Sequence, residues 1–193
     1  MTVDVPLRPA TRTSTRTSTR TSTRTAARAD VAVAPAATTS PVPLGADELA
    51  ALVRSLADRP DVWRPLVQFT EGERWWTRLD APDGVDVWLL SWLPAQGTEP
   101  HDHGDSTAAF TIVAGTLTEV RPDADGRLVP QDFTTGRTQT VATGQIHDVL
   151  NVGTEPAVSI HAYSPPLNRM TYYRSTPDGL VPSRTVETTE PEE

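Results

Sequence analysis

The chain has no cysteine and no lysine. Without cysteine there are no disulfide staples, no thiolate metal sites and no thiol nucleophile. Histidine then becomes the leading ligand for any transition metal, and only four are present: His101, His103, His147 and His161. All 17 basic residues are arginine, a bias of the kind a GC-rich genome produces. Long apolar runs are also missing. None approaches the roughly 20 residues of a membrane span, and the N-terminus lacks the apolar middle of a secretory signal. A cytoplasmic protein with no membrane partner is expected.

Formal charge is −8 over 193 residues, enough chain for one domain with a core plus tails. Residues 1–30 carry six arginines against Asp4 and Asp30, so the remainder is more acidic than the whole. Such a body is poorly suited to gripping a phosphate backbone, and no specific nucleic-acid partner is expected.

Residues 1–42 contain a four-residue repeat, Thr11-Arg12-Thr13-Ser14 recurring through Thr23-Arg24, followed by an Ala/Val/Pro/Thr segment. Nothing there can bury a core, so a disordered tail is expected, either free or a weak tether to an anionic surface or nucleic acid. The domain proper is placed at 43–178. Asp47 opens a helix whose Leu49, Leu52, Val53 and Leu56 form one apolar stripe. Pro60 ends it, and a second short helix or turn follows over 61–69. From residue 73 the pattern becomes short β-rich segments separated by Gly, Asp and Pro turns: 74–79, 85–93, 107–113, 116–121, 127–133, 138–141, 146–152 and 157–163. That spacing predicts a mainly-β sandwich or barrel with short N-terminal helices. Residues 179–193 are expected to be an acidic flexible tail.

All four histidines fall in the β region. On a strand, His101 and His103 leave the same face while Asp102 leaves the other. Two converging imidazoles make half a metal site, and His147, three residues after Gly144, is placed to complete it. Three histidines with open positions suit Fe(II), Cu, Ni or Mn better than a closed structural zinc site.

Gly97-x3-His101-x-His103-x11-Gly115, with Gly144-x2-His147-x3-Asn151 later, resembles the two metal motifs of the cupin superfamily. The Glu ligand usual in the first motif is replaced by Ala108, and a three-histidine cupin of this kind resembles the thiol dioxygenases. The segment Glu155-Pro156-Ala157-Val158-Ser159-Ile160-His161-Ala162-Tyr163-Ser164-Pro165-Pro166 looks like the signature of the cysteine dioxygenase type I family. The resemblance implies a cupin-type β-barrel (jelly roll) and Fe(2+) held by His101, His103 and His147. The implied reaction is dioxygenation of L-cysteine by O2 to cysteine sulfinate. It further implies a monomer of bacterial type, with Tyr163 unmodified because no cysteine can crosslink to it.

Alternation along that last strand puts Ser159, His161 and Tyr163 on one face. The resemblance makes them a relay beside the metal, Ser159 holding His161 and His161 holding the Tyr163 hydroxyl. It also implies an upstream arginine for the substrate carboxylate, bound through a forked guanidinium. Trp75-Trp76-Thr77-Arg78 lies at the matching place, so Arg78 is the expected anchor, with Tyr163 as a second substrate contact. Arg74, four residues earlier, is expected to be exposed. Trp76 stands where the family commonly has tyrosine. The related 3-mercaptopropionate dioxygenases carry an arginine shortly after Ser-Pro-Pro, and ungapped alignment puts Met170 there, with Arg169 beside it. Two alternatives stay open: dioxygenation of another small thiol such as 3-mercaptopropionate, and a non-catalytic metal-binding cupin.

Overall fold

The computed structural model describes residues 41–177 and 179–190. The expected disordered tail over 1–42 lies almost wholly outside the described residues. Helix α1 (Ala46–Ala57) begins at Gly45, whose amide donates to the Glu48 carboxylate at 2.8 Å and closes the N-terminus. A short helix α2 (Pro60–Trp63) and one 3-10 turn (Arg64–Leu66) follow, the second helix starting at the proline that ends the first segment.

Strands β1 (Trp76–Arg78), β2 (Asp86–Trp92), β4 (Thr107–Ala114), β7 (Thr138–Val141) and β9 (Ala157–Ser164) make one antiparallel sheet in the order β1-β2-β9-β4-β7. A second layer has two three-stranded parts. One is β6-β5-β8, built from β5 (Thr116–Pro122), β6 (Leu128–Thr134) and β8 (Asp148–Leu150). The other is β11-β10-β3, built from β3 (His101–Asp102), β10 (Arg169–Thr176) and β11 (Gly179–Glu187). A bridge between His101 and His147 joins the two parts edge to edge. The layers face each other in a mainly-β barrel with short N-terminal helices, as expected.

Alternation in β2 and β9 divides the molecule into two cores. Trp88, Leu90 and Trp92 turn inward, joining Phe110, Leu117, Val149, Met170 and Tyr172 inside the barrel. Val87, Leu89, Val158, Ile160 and Ala162 turn outward, under the apolar stripe of α1. Register fixes this: Trp88 pairs with His161 and Leu90 with Ser159. The inward face of β9 is therefore Ser159-His161-Tyr163, the face expected from alternation.

Residues 179–187, expected within a flexible tail, are instead the edge strand β11, paired along its length with β10. Pro182, which disguises the strand in the sequence, is accommodated at a register shift opposite Tyr172 and Tyr173. Edge strands and bulges are where a proline is tolerated. No described helix is long and apolar enough to cross a membrane.

Candidate metal centre

His101 and His147 are brought together by backbone pairing. Each amide donates to the other's carbonyl, at 2.9 and 3.0 Å, so the two side chains leave the same face directly opposite one another. His103 follows two residues after His101 and returns to that face. Asp102, between them, points away: its carboxylate accepts from the Gly104 amide at 2.8 Å and the Tyr173 hydroxyl at 2.7 Å. Burial and the Asp102 carboxylate push the Tyr173 phenol up to about 12, so it remains a donor. This clamp holds the turn that carries both histidines.

The three ε-nitrogens converge. His103 Nε2 lies 3.2 Å from His101 Nε2 and 3.3 Å from His147 Nε2, and all three rings are buried. With metal–nitrogen bonds of about 2.0–2.1 Å, cis ligands stand roughly 3 Å apart, so the spacing fits a metal. Tautomers fit as well. His101 Nδ1 faces the Glu99 carbonyl at 2.7 Å and His147 Nδ1 faces the Glu119 carboxylate at 2.8 Å. Both partners only accept, so the protons sit on Nδ1 and the Nε2 lone pairs face inward. Converging lone pairs repel unless a cation lies among them.

Burial first, and then the neighbouring imidazoles, hold His101 and His103 well below the usual histidine range. Burial, then the Arg74 charge, does the same for His161. The folded protein thus keeps these rings neutral where the unfolded chain would protonate them. Stability from this source is fully present above the unfolded value near 6.5 and is lost as pH falls below it. Melting the metal-free protein between pH 8 and 5 should show a falling midpoint below about 6.5, with a limiting slope of about 1.4 kcal/mol per pH unit per histidine.

Beside the histidines is a small cavity of about 290 Å³, open solvent at its mouth included, lined by Arg74, Trp92, Tyr163, His161 and the apolar Leu90, Val149 and Met170. The Tyr163 ring stands edge-on to His103 at 4.9 Å. His161 stacks on Phe110 with ring centres 5.0 Å apart. Ser159 Oγ is 2.8 Å from His161 Nε2 and accepts the Trp92 indole N–H at 2.8 Å. The indole can only donate, so it occupies one Ser159 lone pair and leaves the hydroxyl proton and the second lone pair to meet His161 Nε2.

The two arginines are placed differently from expectation. Arg78 is 53% exposed in its side chain, lies 3.7 Å from Asp86 and donates to the Thr189 carbonyl. Arg74, expected to be exposed, is buried at the cavity wall, its guanidinium 4.2 Å from the Trp92 ring centre. The two residues have the same parity about Trp76, so alternation turns both toward the same face and cannot separate them. Their cross-strand tryptophans do: Arg78 lies over Trp88, toward the outer end, and Arg74 over Trp92, at the metal end. Arg169 is half exposed and contacts Asp105 at 3.4 Å, while Met170 lines the cavity.

Glu119 is a residue that motif reading missed. The signal for it was a charged pair, Glu119 and Arg121, on the same strand face as the core residue Leu117.

Three buried imidazoles next to a buried arginine and a tyrosine suit a metal site that handles a small anionic substrate. A family model described as cysteine dioxygenase type I matches residues 18–176. The chain belongs to the cysteine dioxygenase type I family. It is 28% identical over 134 residues to cysteine dioxygenase type 1 of Danio rerio, covering 64% of this chain and 67% of that protein. The Rattus norvegicus cysteine dioxygenase type 1 is 29% identical over 132 residues, covering 63% and 66%. The chain thus matches about two thirds of the length of these family members. Among solved structures, it is similar to a conserved protein with a double-stranded β-helix domain from Klebsiella pneumoniae (TM-score 0.47, 19% identity, 53% of this chain and 80% of that one). It is also similar to a cupin superfamily protein from Desulfitobacterium hafniense (TM-score 0.45, 14% identity, 53% and 87%).

Proposed function

We propose that this protein adds both atoms of O2 to the sulfur of L-cysteine, giving cysteine sulfinate, with Fe(II) held by His101, His103 and His147. The observation that carries this reading is the convergence of three buried imidazoles beside a buried arginine in a cavity too small for a bulky substrate. Iron bound there supplies open positions for thiol and O2, and a dication carried by three neutral ligands favours the thiolate.

The protein's own groups do the rest. Arg74 binds the substrate carboxylate with its guanidinium, held flat by stacking on Trp92. Tyr163 projects beside His103 and offers its hydroxyl to the substrate or to oxygen. Ala108 is the cross-strand partner of Tyr163, so the phenol has no thiol beside it. Trp92, Ser159 and His161 form a hydrogen-bonded chain that fixes the His161 ring next to this tyrosine. Leu90, Val149 and Met170 limit access by water. Action as a monomer in the cytoplasm is part of the same proposal.

The carboxylate contact is also available to 3-mercaptopropionate, so the discriminating experiment is a panel of small thiols with the iron-loaded protein. The reading requires the highest kcat/KM for L-cysteine. A higher value for 3-mercaptopropionate would reassign the substrate, and no turnover of any thiol would leave only a metal-binding cupin.

A further inference from the structure

Glu119 and Arg121 project into the barrel from β5, on the face that carries the core residue Leu117. Glu119 is 2% exposed, and burying a carboxylate is costly unless it is paired and hydrogen-bonded. Its Oε1 meets both conditions, accepting from His147 Nδ1 at 2.8 Å and from Arg121 Nη2 at 2.6 Å. Arg121 is itself tied to β7 by a 2.8 Å bond from Nη2 to the Thr140 carbonyl. The carboxylate that Ala108 removes from the ligand set therefore reappears behind a ligand, on the far side of the His147 ring.

We infer that Glu119 is a positioning residue that holds His147 in its metal-binding tautomer and strengthens its Nε2 as a donor, and that Arg121 moderates the charge Glu119 passes to the metal. The inference rests on the reading of the three histidines as a metal site. A carboxylate accepting from Nδ1–H fixes both the rotation of the ring and its protonation pattern, and raises ligand basicity. Arg121 draws on the same oxygen, so the imidazole receives only part of the negative charge. His101, by contrast, faces a neutral carbonyl. The ligands are thus unequal, and His147 is the strongest donor of the pair.

The test is titration of metal-free protein with Co(II), together with the Fe(III)/Fe(II) midpoint potential of the iron-loaded form. Glu119→Gln keeps the shape and removes the charge. It should weaken Co(II) binding by about 10–100-fold and raise the potential. Arg121→Met should lower the potential, without that loss of affinity, because the carboxylate is then unshared. A loss of packing alone would not move the two potentials in opposite directions. Glu119→Gln binding Co(II) within twofold of wild type, or both variants shifting the potential the same way, would overturn the inference. Should Glu119→Gln not fold, the Glu119→Gln/Arg121→Met double variant replaces the ion pair with neutral groups and carries the affinity measurement. Wild-type protein that binds no metal would instead overturn the reading of the site itself.

Discussion

His103→Ala will abolish metal binding and activity while leaving the metal-free fold as stable as before or more so. His103 Nε2 is the common neighbour of the other two ligand atoms, at 3.2 and 3.3 Å. Two remaining imidazoles do not enclose an ion, and since even the outer partners of a ligand are worth about 10–100-fold in affinity, loss of a ligand should exceed about 100-fold. The second half of the expectation is less obvious. His103 is buried, and its Nδ1 has no hydrogen-bond partner among the described residues. A desolvated, unpaired ring nitrogen costs the folded state about 1–3 kcal/mol, and alanine removes that cost while losing some packing. Iron content, turnover and a thermal melt of the metal-free variant measure the three quantities together. A large drop in the metal-free melting point would show that His103 is a structural residue.

Arg74→Gln will raise KM for L-cysteine by about 10–150-fold, whereas Arg78→Ala will change it by less than twofold. Hydrogen bonds to a charged group contribute about 1.5–3 kcal/mol, and here the partner is buried and pre-oriented. Stacking on Trp92 at 4.2 Å already restricts the guanidinium, so little ordering is left for substrate to impose. Arg78, half exposed and engaged with Asp86 and Thr189, is not among the residues that line the cavity. Steady-state kinetics on the two variants decide between them. The reverse ranking would restore Arg78 as the anchor.

That pair also marks where sequence reasoning ran out. Strand alternation is a local rule, and it placed Ser159, His161 and Tyr163 on the inward face of β9, where the structure has them. Spacing also drew His147 to His101 and His103, because turn and strand signals flank all three. What alternation cannot give is position along a strand relative to other strands. Arg74 and Arg78 are equivalent until Trp92 and Trp88 are known to lie beneath them. Glu119 stayed hidden for the same reason: its role depends on β5 pairing with β8, which sets the strand carrying it beside the segment that carries His147. The edge strand β11 was masked by Pro182 and an acidic composition that reads as tail. Local chemistry was legible, and long-range register was not.

The central claim is that the three-histidine centre directs both atoms of one O2 molecule onto the sulfur of a small thiol. The most direct measurement uses the iron-loaded protein with L-cysteine under 18O2, following oxygen consumption and the mass of the product. One O2 consumed per cysteine, with both labelled atoms in cysteine sulfinate, is the predicted result. No iron-dependent oxygen uptake, or a product carrying fewer than two labelled atoms, would contradict it.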